Sequence, residues 1–136
     1  MEFLQYFSNV FTFGNLTILA LGTIGGLLLG AAPGLSPTMA VALLIPFTFK
    51  MSPDQGLIML GAVYTATVAG GAISAILLKI PGAPANIATV MDGYPMATQN
   101  KSKEALHYCF ISSFIGGVIG IIVLIFFTPI LANFAL

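Results

Sequence analysis

The sequence predicts an all-α integral membrane protein whose transmembrane helices are interrupted by two Pro-Gly tips, formed as re-entrant segments or broken helices. Of its 136 residues, 58% are hydrophobic and only 6% are charged, whereas soluble domains carry about 25% charged residues. The mean hydropathy is +1.05. Proline and glycine break the apolar runs at 33–37, the first tip, and at 81–86, the second tip. In lipid, irregular backbone is tolerated only where it is buried in protein or lines a polar cavity, so the tips are candidate functional sites.

The N-terminal part of the chain predicts an interfacial helix at 1–13 and then a membrane-embedded helix. Apolar residues up to Phe11 recur at near-helical spacing with polar residues between them, which is typical of a helix lying in the membrane interface. Asn15 can cap the next helix, and no charged residue occurs from 16 to 32. Glycines at every fourth position favour close approach of another helix: Gly22, Gly26 and Gly30.

The first tip divides residues 15–49 into a broken helix or hairpin. Pro33 and Pro37 remove two backbone donors and disfavour helical geometry in the residue before each. Ser36 can cap a second helix with Pro37 in its first turn, which continues to about Phe49. That helix is about 18 Å long, too short to cross a hydrocarbon core of about 30 Å.

Residues 53–98 predict a long helix followed by a second hairpin. Ser52 or Asp54 can cap the helix, which extends from Pro53 to about Ile80. Its face of small residues includes Gly70 and Gly71, which favour helix packing. The second tip then stops the helix, and the chain becomes polar from 96 to 104.

A last transmembrane helix is predicted at 105–128, ending before Pro129. A cluster of glycines in it favours packing against another helix: Gly116, Gly117 and Gly120. His107, near its start, is interpreted as a surface residue because no second ligand accompanies it. Together these elements form a single membrane domain over 1–136.

The two tips form an approximate repeat, since in each a pair of glycines precedes a Pro-Gly dipeptide and a further proline. Paired interruptions of this kind indicate a transport site, because the N-termini of half-helices offer N–H groups to an anion while freed carbonyls attract a cation. All four basic residues are lysines, so this chain has no guanidinium to clamp a carboxylate.

Asp92 is the carboxylate closest to the tips, and two interpretations of it stay open. An ionisable group at membrane depth is costly and therefore predicts a functional role, here in holding a coupling cation. The Asp92-Gly93 dipeptide is equally typical of a turn at the membrane surface.

Several functional classes are not indicated by the sequence. The net charge is zero and no basic cluster occurs, which argues against nucleic acid as a partner. No nucleophile–base pair, metal-ligand spacing or phosphate-binding glycine loop is present, so we expect neither an enzyme nor a metal or organic cofactor.

Several strings, in order, resemble the N-terminal part of the large permease subunit of tripartite tricarboxylate transporters, the TctA family. They are PGLSP at 33–37, ALLIPFTF at 42–49, GG at 70–71, AILL at 75–78, PGAP at 81–84 and DGYPMA at 92–97. The resemblance covers roughly residues 15–120. Members are several times longer and contain a second, similar half, so this chain corresponds to one repeat unit, half or less, of a larger permease. The sequence departs from the family pattern at Ser36, where a glycine is usual, and at Gly71-Ala72, where a glycine-serine pair is common.

The resemblance implies a permease in the bacterial inner membrane that takes up di- and tricarboxylates with a cation gradient, either Na⁺ or H⁺. Its implied partners are a small four-helix membrane subunit, a periplasmic solute-binding protein, and the remainder of the permease or a second copy. The residues we assign to the carboxylate substrate are Pro33, Gly34, Ser36, Pro37, Thr38, Pro81, Gly82, Pro84, Asn86 and Thr89. The alternative is a membrane scaffold that does not transport, in which the glycines only pack helices.

Overall fold

The computed structural model describes residues 10–135, and within them it contains helices and no strand. The helices are α1 (Phe13–Ala31), α2 (Pro37–Thr48), α3 (Pro53–Leu78), α4 (Ile87–Thr98) and α5 (Ser102–Ala135), with a 3₁₀ turn at Pro84–Asn86 before α4. Of these, α1, α3 and α5 are long and apolar enough to cross a membrane. The predicted fold class is therefore confirmed, and the chain is a multi-pass membrane protein. Most of the predicted interfacial helix, residues 1–9, lies outside the described residues.

The start of α1 differs from the prediction. Thr12, in extended conformation, occupies the N-cap position, and Asn15 falls within the first turn. The predicted start was late because an asparagine is a stronger capping signal than a threonine.

Helices α1 and α3 pack side by side and run in the same direction. Gly22 lies against Met59 and Val63, and Gly30, two turns later, lies against Thr67. At Gly26 a Cβ atom would be 2.7 Å from the Val63 carbonyl oxygen, closer than any side chain could be accommodated without movement. The glycine stripe of α1 thus lets the two backbones touch.

Helix α2 returns from the first tip towards the start of α3. The hydroxyl of Ser36 accepts a hydrogen bond from the Met39 backbone N–H at 3.3 Å, and Pro37 fills the first helical position. A Cβ on Gly56 would be 3.5 Å from the Cβ of Thr48, so the end of α2 lies beside the first turn of α3. We call this side of the bundle, with its turn at 49–52, the Lys50 end.

After α3 the chain folds back along the helix it has just left. Lys79 ends α3 in the left-handed region, with a φ of 60°. Gly82 then contacts Gly71, and the side-chain amide of Asn86 donates to the Val68 carbonyl oxygen at 3.2 Å. From there α4 runs parallel to α3, so that Gly93 lies against Ile76. The end of α3 and the turn at 99–101 therefore share one side, the Lys79 end.

Helix α5 returns antiparallel to α4 and is longer than predicted. It begins at Ser102 and continues through Pro129 to Ala135, so the predicted stop at Pro129 was wrong. A proline removes only one hydrogen bond from a helix, so α5 can continue through it. The hydroxyl of Thr128, just before the proline, donates to the Leu124 carbonyl oxygen at 2.6 Å.

Candidate functional site

The two tips meet each other against the middle of α3. A Cβ on Gly82 would be 2.9 Å from the Cα of Gly71, 3.4 Å from the carbonyl oxygen of Gly30 and 3.6 Å from that of Leu35. Gly30 and Leu35 flank the first break, and Gly82 belongs to the second tip. The contact is between backbones, and it brings carbonyl oxygens from the end of α1 and from the first tip against the second tip.

The position of this contact along α3 places it inside the membrane span. At 1.5 Å per residue, the 26 residues of α3 are about 39 Å long. Gly71 is about 8 Å from the mid-point of that length, and Val68, which anchors Asn86, is about 4 Å from it. Because the hydrocarbon core is about 30 Å thick, both tips and the N-terminus of α4 lie within it.

The first tip approaches this level from the Lys50 end. Pro33 and Gly34 are exposed, and Gly34 has a φ of 89°, a backbone conformation that favours glycine. Pro37 is buried, whereas Thr38 is exposed on the first turn of α2. The hydroxyls of Ser36 and Thr38 are 2.9 Å apart and share a hydrogen bond. Pro37 has no N–H, and the N–H groups of Met39 and Ala40 bond to Ser36, so the Thr38 N–H lies together with the two hydroxyls at this tip.

The second tip approaches from the Lys79 end and is anchored by a buried amide. Asn86 is only 5% exposed. The position of this amide also explains why residue 71 is a glycine, since a Cβ there would be 2.5 Å from the Asn86 side-chain nitrogen. Pro84 is exposed and Pro81 is half-buried, while Gly82 is buried in the contact between the tips.

Asp92 lies in α4 and lines a cleft between α3, α4 and α5. Asp92-Gly93 does not form a turn, since both residues are inside the helix. Asp92 is exposed, and Gly93 lies against Ile76, about 16 Å along α3 from its mid-point, so Asp92 is near the edge of the hydrocarbon core, where the surface interpretation expected it. The cleft has a volume of about 490 Å³, and we call it the Asp92 cleft. Its lining is Ile76, Ala88, Thr89, Asp92, Gly93, Met96, Ala105, Tyr108, Cys109, Ser112 and Ser113.

A neighbouring cavity of about 510 Å³ connects the Asp92 cleft to the second tip. It is lined by Asn86 of the tip and by Thr65 and Val68 of α3. Thr89 and Ser113 line both cavities. Helix α4 thus carries a continuous polar surface from Asn86 at its start, through Thr89, to Asp92.

The structure brings together only part of the predicted site. The two tips touch, and Thr89 lies in the Asp92 cleft. None of the first-tip residues, including Ser36 and Thr38, lines the Asp92 cleft or the cavity beside it. The first tip therefore lies apart from both cavities, whereas the second tip borders the cavity beside the Asp92 cleft through Asn86.

Thr67 is a polar residue of the tip region that sequence reasoning did not assign to the site. Its hydroxyl is buried and has no hydrogen-bond partner among the described residues. The backbone of Thr67 is the contact surface of Gly30, at the end of α1. Threonines are ordinary packing residues in membrane helices, so no sequence signal distinguished this one.

Ser112, Ser113 and Tyr108 of α5 were also not predicted as site residues. They face Asp92 only because α5 returns antiparallel beside α4. The predicted packing glycines of the same helix face open space in this chain, with no described atom within 4 Å of a Cβ built on each: Gly116, Gly117 and Gly120. Their packing role stays a prediction, in contrast to the close contacts made by Gly70 and Gly71 of α3.

Comparison with known proteins identifies the family of the chain. Residues 16–136 match the model of the tripartite tricarboxylate transporter TctA family. The chain is also similar to an "uncharacterized 52.8 kDa protein in TAR-I ttuC' 3'region" of Agrobacterium vitis, with 36% identity over 130 residues. That alignment covers 96% of this chain and 26% of the relative, so the chain spans about a quarter of the relative's length. No solved structure matches the chain. Both the family model and this relative extend over nearly all of the chain, which belongs to the tripartite tricarboxylate transporter TctA family.

Proposed function

We propose that this chain forms part of the translocation site of a permease for di- and tricarboxylates. The observation that carries the proposal is the meeting of two interrupted segments, one from each end of the bundle, near the mid-plane of α3. Secondary transporters bind their substrates at this depth, at discontinuous helices whose N-termini point towards anionic groups.

The chemistry of the first tip suits a carboxylate. The N-terminus of α2 supplies the Thr38 backbone N–H and a partial positive charge. The hydroxyls of Ser36 and Thr38 lie beside it; one donates to the other, which leaves one hydroxyl proton for a substrate. Because the chain contains no arginine, substrate recognition by these residues would rely on hydrogen bonds from hydroxyl and backbone groups. The buried hydroxyl of Thr67 is a further donor in the same region.

In this proposal the second tip links the movements of the two hairpins. Its carbonyl-rich contact with Gly30 and Leu35 holds the two hairpins together, and α4 begins at this level with its own N-terminus. A change in the position of either hairpin would alter both tips at once. We propose that these hairpins move during cation-coupled uptake by the complete permease in the bacterial inner membrane. A periplasmic solute-binding protein would deliver the substrate to the permease, which would work together with a small four-helix membrane subunit.

The experiment is uptake of radiolabelled citrate and other di- and tricarboxylates by proteoliposomes that contain the complete permease bearing this segment, with its partner subunits. We expect Thr38→Val to raise the KM about tenfold, the effect of losing one hydrogen bond to a charged group. Thr48→Val is the matched control, since its hydroxyl donates to the Ile45 carbonyl of the same helix at the Lys50 end. Equal kinetics for both variants would remove the α2 N-terminus from substrate binding. Absence of carboxylate uptake by the unmodified complex would favour the scaffold alternative.

A further inference from the structure

We propose that a groove along α3 is the docking site for a transmembrane helix from the part of the permease that lies outside this chain. Two cavities form the groove: the cavity of about 510 Å³ beside the Asp92 cleft, and another of about 500 Å³ between α1, α3 and α5. They adjoin along α3, since Thr65 and Ala69 line both. We call them together the α3 groove. The inference concerns the assembly of the protein and goes beyond its transport activity.

The floor of the α3 groove is a helix face with small side chains. Gly61, Thr65 and Ala69 recur at every fourth position, which places them on one face of α3. From Gly61 to Ala72 the floor is about 17 Å long at 1.5 Å per residue, and it includes the mid-point of α3. A Cβ built on Gly61 has no described atom within 4 Å. No described part of this chain therefore covers the floor at that position.

Helices α1 and α5 form the two walls of the groove and stand apart from each other. Among the described residues, no Cα atom of α1 lies within 8 Å of a Cα atom of α5. Phe110 and Gly116 of α5 line the groove, and a Cβ built on Gly116 also has no described atom within 4 Å. The wall of α1 consists of Leu19, Thr23 and Leu27. Small residues on two helices that border an unfilled space favour close approach of a third helix.

Asn86 is the residue that points to a protein occupant. It lines the groove at the second tip, and its side chain is 5% exposed. Its amide nitrogen donates to the Val68 carbonyl oxygen, whereas its amide oxygen accepts no hydrogen bond from the described residues. Val68 is about 4 Å from the mid-point of α3, a depth at which the hydrocarbon core offers no water to an acceptor. A hydroxyl or amide side chain on a docked helix would supply the missing donor.

The lining of the groove argues against two other occupants. No charged side chain lines either cavity in the part of the chain that the structure describes, so a carboxylate substrate would be buried without a counter-charge. A lipid acyl chain would fill the space but has no donor for the Asn86 amide oxygen. We therefore expect an apolar helix with small residues towards α3 and a hydroxyl or amide group at the level of Asn86.

The remainder of the permease is the source that fits this occupant. The chain spans about a quarter of the length of its Agrobacterium relative, so most of a complete permease lies outside it. The groove lies between two helices of one bundle, and its occupant has to enter that bundle. A segment of the same polypeptide reaches this position at a high effective concentration, which a separate subunit lacks.

Phe110 provides the test because its ring lines the groove. The complete permease, with p-azidophenylalanine in place of Phe110, is reconstituted in lipid nanodiscs and irradiated. Its products are digested and identified by mass spectrometry. We expect a cross-link to a permease segment outside this chain. That segment should carry a serine, threonine, asparagine or glutamine within about two helical turns of the cross-linked residue, where it can reach Asn86.

Two glycine variants form a matched pair for this experiment. Gly61→Leu places a large side chain on the floor of the groove, whereas Gly25→Leu adds the same side chain to α1 at a position that does not line it. At both positions a Cβ has no described atom within 4 Å. We expect Gly61→Leu to lower the yield of the cross-link several-fold and Gly25→Leu to leave it unchanged. Equal yields for the two variants would contradict docking in the groove.

The products of cross-linking also separate this inference from the proposed function. Adducts with lipid alone, or cross-links confined to residues of this chain or to a separate subunit, would overturn the docking proposal. The reaction needs neither substrate nor transport. A cross-link to the remainder of the permease without carboxylate uptake would contradict only the proposed function, whereas uptake accompanied by lipid adducts alone would contradict only the docking site.

Discussion

At the scale of single residues, glycine acts in this chain by allowing helix backbones to touch. Gly26 and Gly30 lie against the α3 backbone at Val63 and Thr67, whereas a Cβ added to Gly25, the immediate neighbour of Gly26, would have no described atom within 4 Å. Adjacent glycines in the same helix therefore have different functions. The spacing of Gly22, Gly26 and Gly30, four residues apart, identifies the face of α1 that packs on α3. Gly25 does not fall on that spacing, so the pattern predicts no contact for it.

We expect Gly26→Ala to destabilise the α1–α3 pair by about 1–3 kcal/mol, the usual cost of forcing an extra methyl group into a packed contact. The new Cβ would be 2.7 Å from the Val63 carbonyl oxygen and 2.8 Å from the Cβ of Ala66. Gly25→Ala is the control, and it should leave stability unchanged or raise it by up to about 1 kcal/mol through helix propensity. Thermal unfolding of the purified permease in detergent measures both. Similar melting temperatures for the two variants would contradict a backbone contact at Gly26.

At the scale of elements, the segment formed by the second tip and α4 is delimited by two residues in the left-handed region. Lys79 precedes the second tip with a φ of 60°, and Asn100 follows α4 with a φ of 62°. The ammonium of Lys79 lies 5.4 Å from the centre of the Tyr94 ring, which ties the end of α3 to α4. Asparagine tolerates the left-handed region better than other side chains, which accounts for its presence at the turn before α5.

Substitutions of Asn100 therefore test how much the left-handed residue after α4 contributes to stability. Asn100→Ala should destabilise the protein by about 1 kcal/mol, because alanine is less favourable than asparagine in this conformation, whereas Asn100→Gly should be neutral or slightly stabilising. Gln99→Ala is the control at the neighbouring position, whose φ is −90°. Chemical unfolding in detergent compares the three. Equal losses for Asn100→Ala and Asn100→Gly would show that the asparagine side chain, and not its backbone conformation, matters.

The breaks in the helices could be predicted from the sequence because their causes are local. A proline stops a helix through its own missing N–H, and Ser36 before Pro37 is a local capping signal that the structure shows in place. The direction of the chain after α3 could not be predicted, since it depends on Gly82 meeting Gly71, eleven positions earlier in the sequence. Pro129 was misjudged because a proline removes only one hydrogen bond of a helix, and α5 continues through it.

At the scale of the whole molecule, two hairpins enter from opposite ends and meet beside one continuous helix. Both parts of the candidate site depend on this arrangement, because α3 supports the tips and α5 completes the Asp92 cleft. The tips were predicted as a pair from their repeated pattern. The residues of α5 that line the cleft could not be predicted, because no sequence spacing relates Ser112 to Asp92 before the antiparallel return of α5 is known.

The outer surface of α5 remains uncovered in this chain. From Phe110 to Leu131 every residue is exposed, and Gly116, Gly117 and Gly120 present no side chain there. A helix facing only lipid gains nothing from glycine, which weakens it by about 1 kcal/mol relative to alanine. Small residues on a membrane helix instead favour close approach of another helix. Since this chain spans about a quarter of its relative's length, other segments of a complete permease are available to fill this position.

We therefore expect Gly117→Leu to impair assembly of the complete permease while leaving the packing of α1 to α4 intact. Within this chain Gly117 is exposed and a Cβ built on it has no described atom within 4 Å, so we expect any loss to come from a partner segment. Ile119→Leu is the control, a change of shape at constant volume on the same exposed helix. Size-exclusion chromatography and thermal unfolding of the detergent-solubilised complex measure the effect, which we expect to be a loss of about 1–3 kcal/mol for Gly117→Leu alone. If both variants behave like the unmodified protein, the glycine face of α5 contacts lipid, and the small residues do not mark an interface.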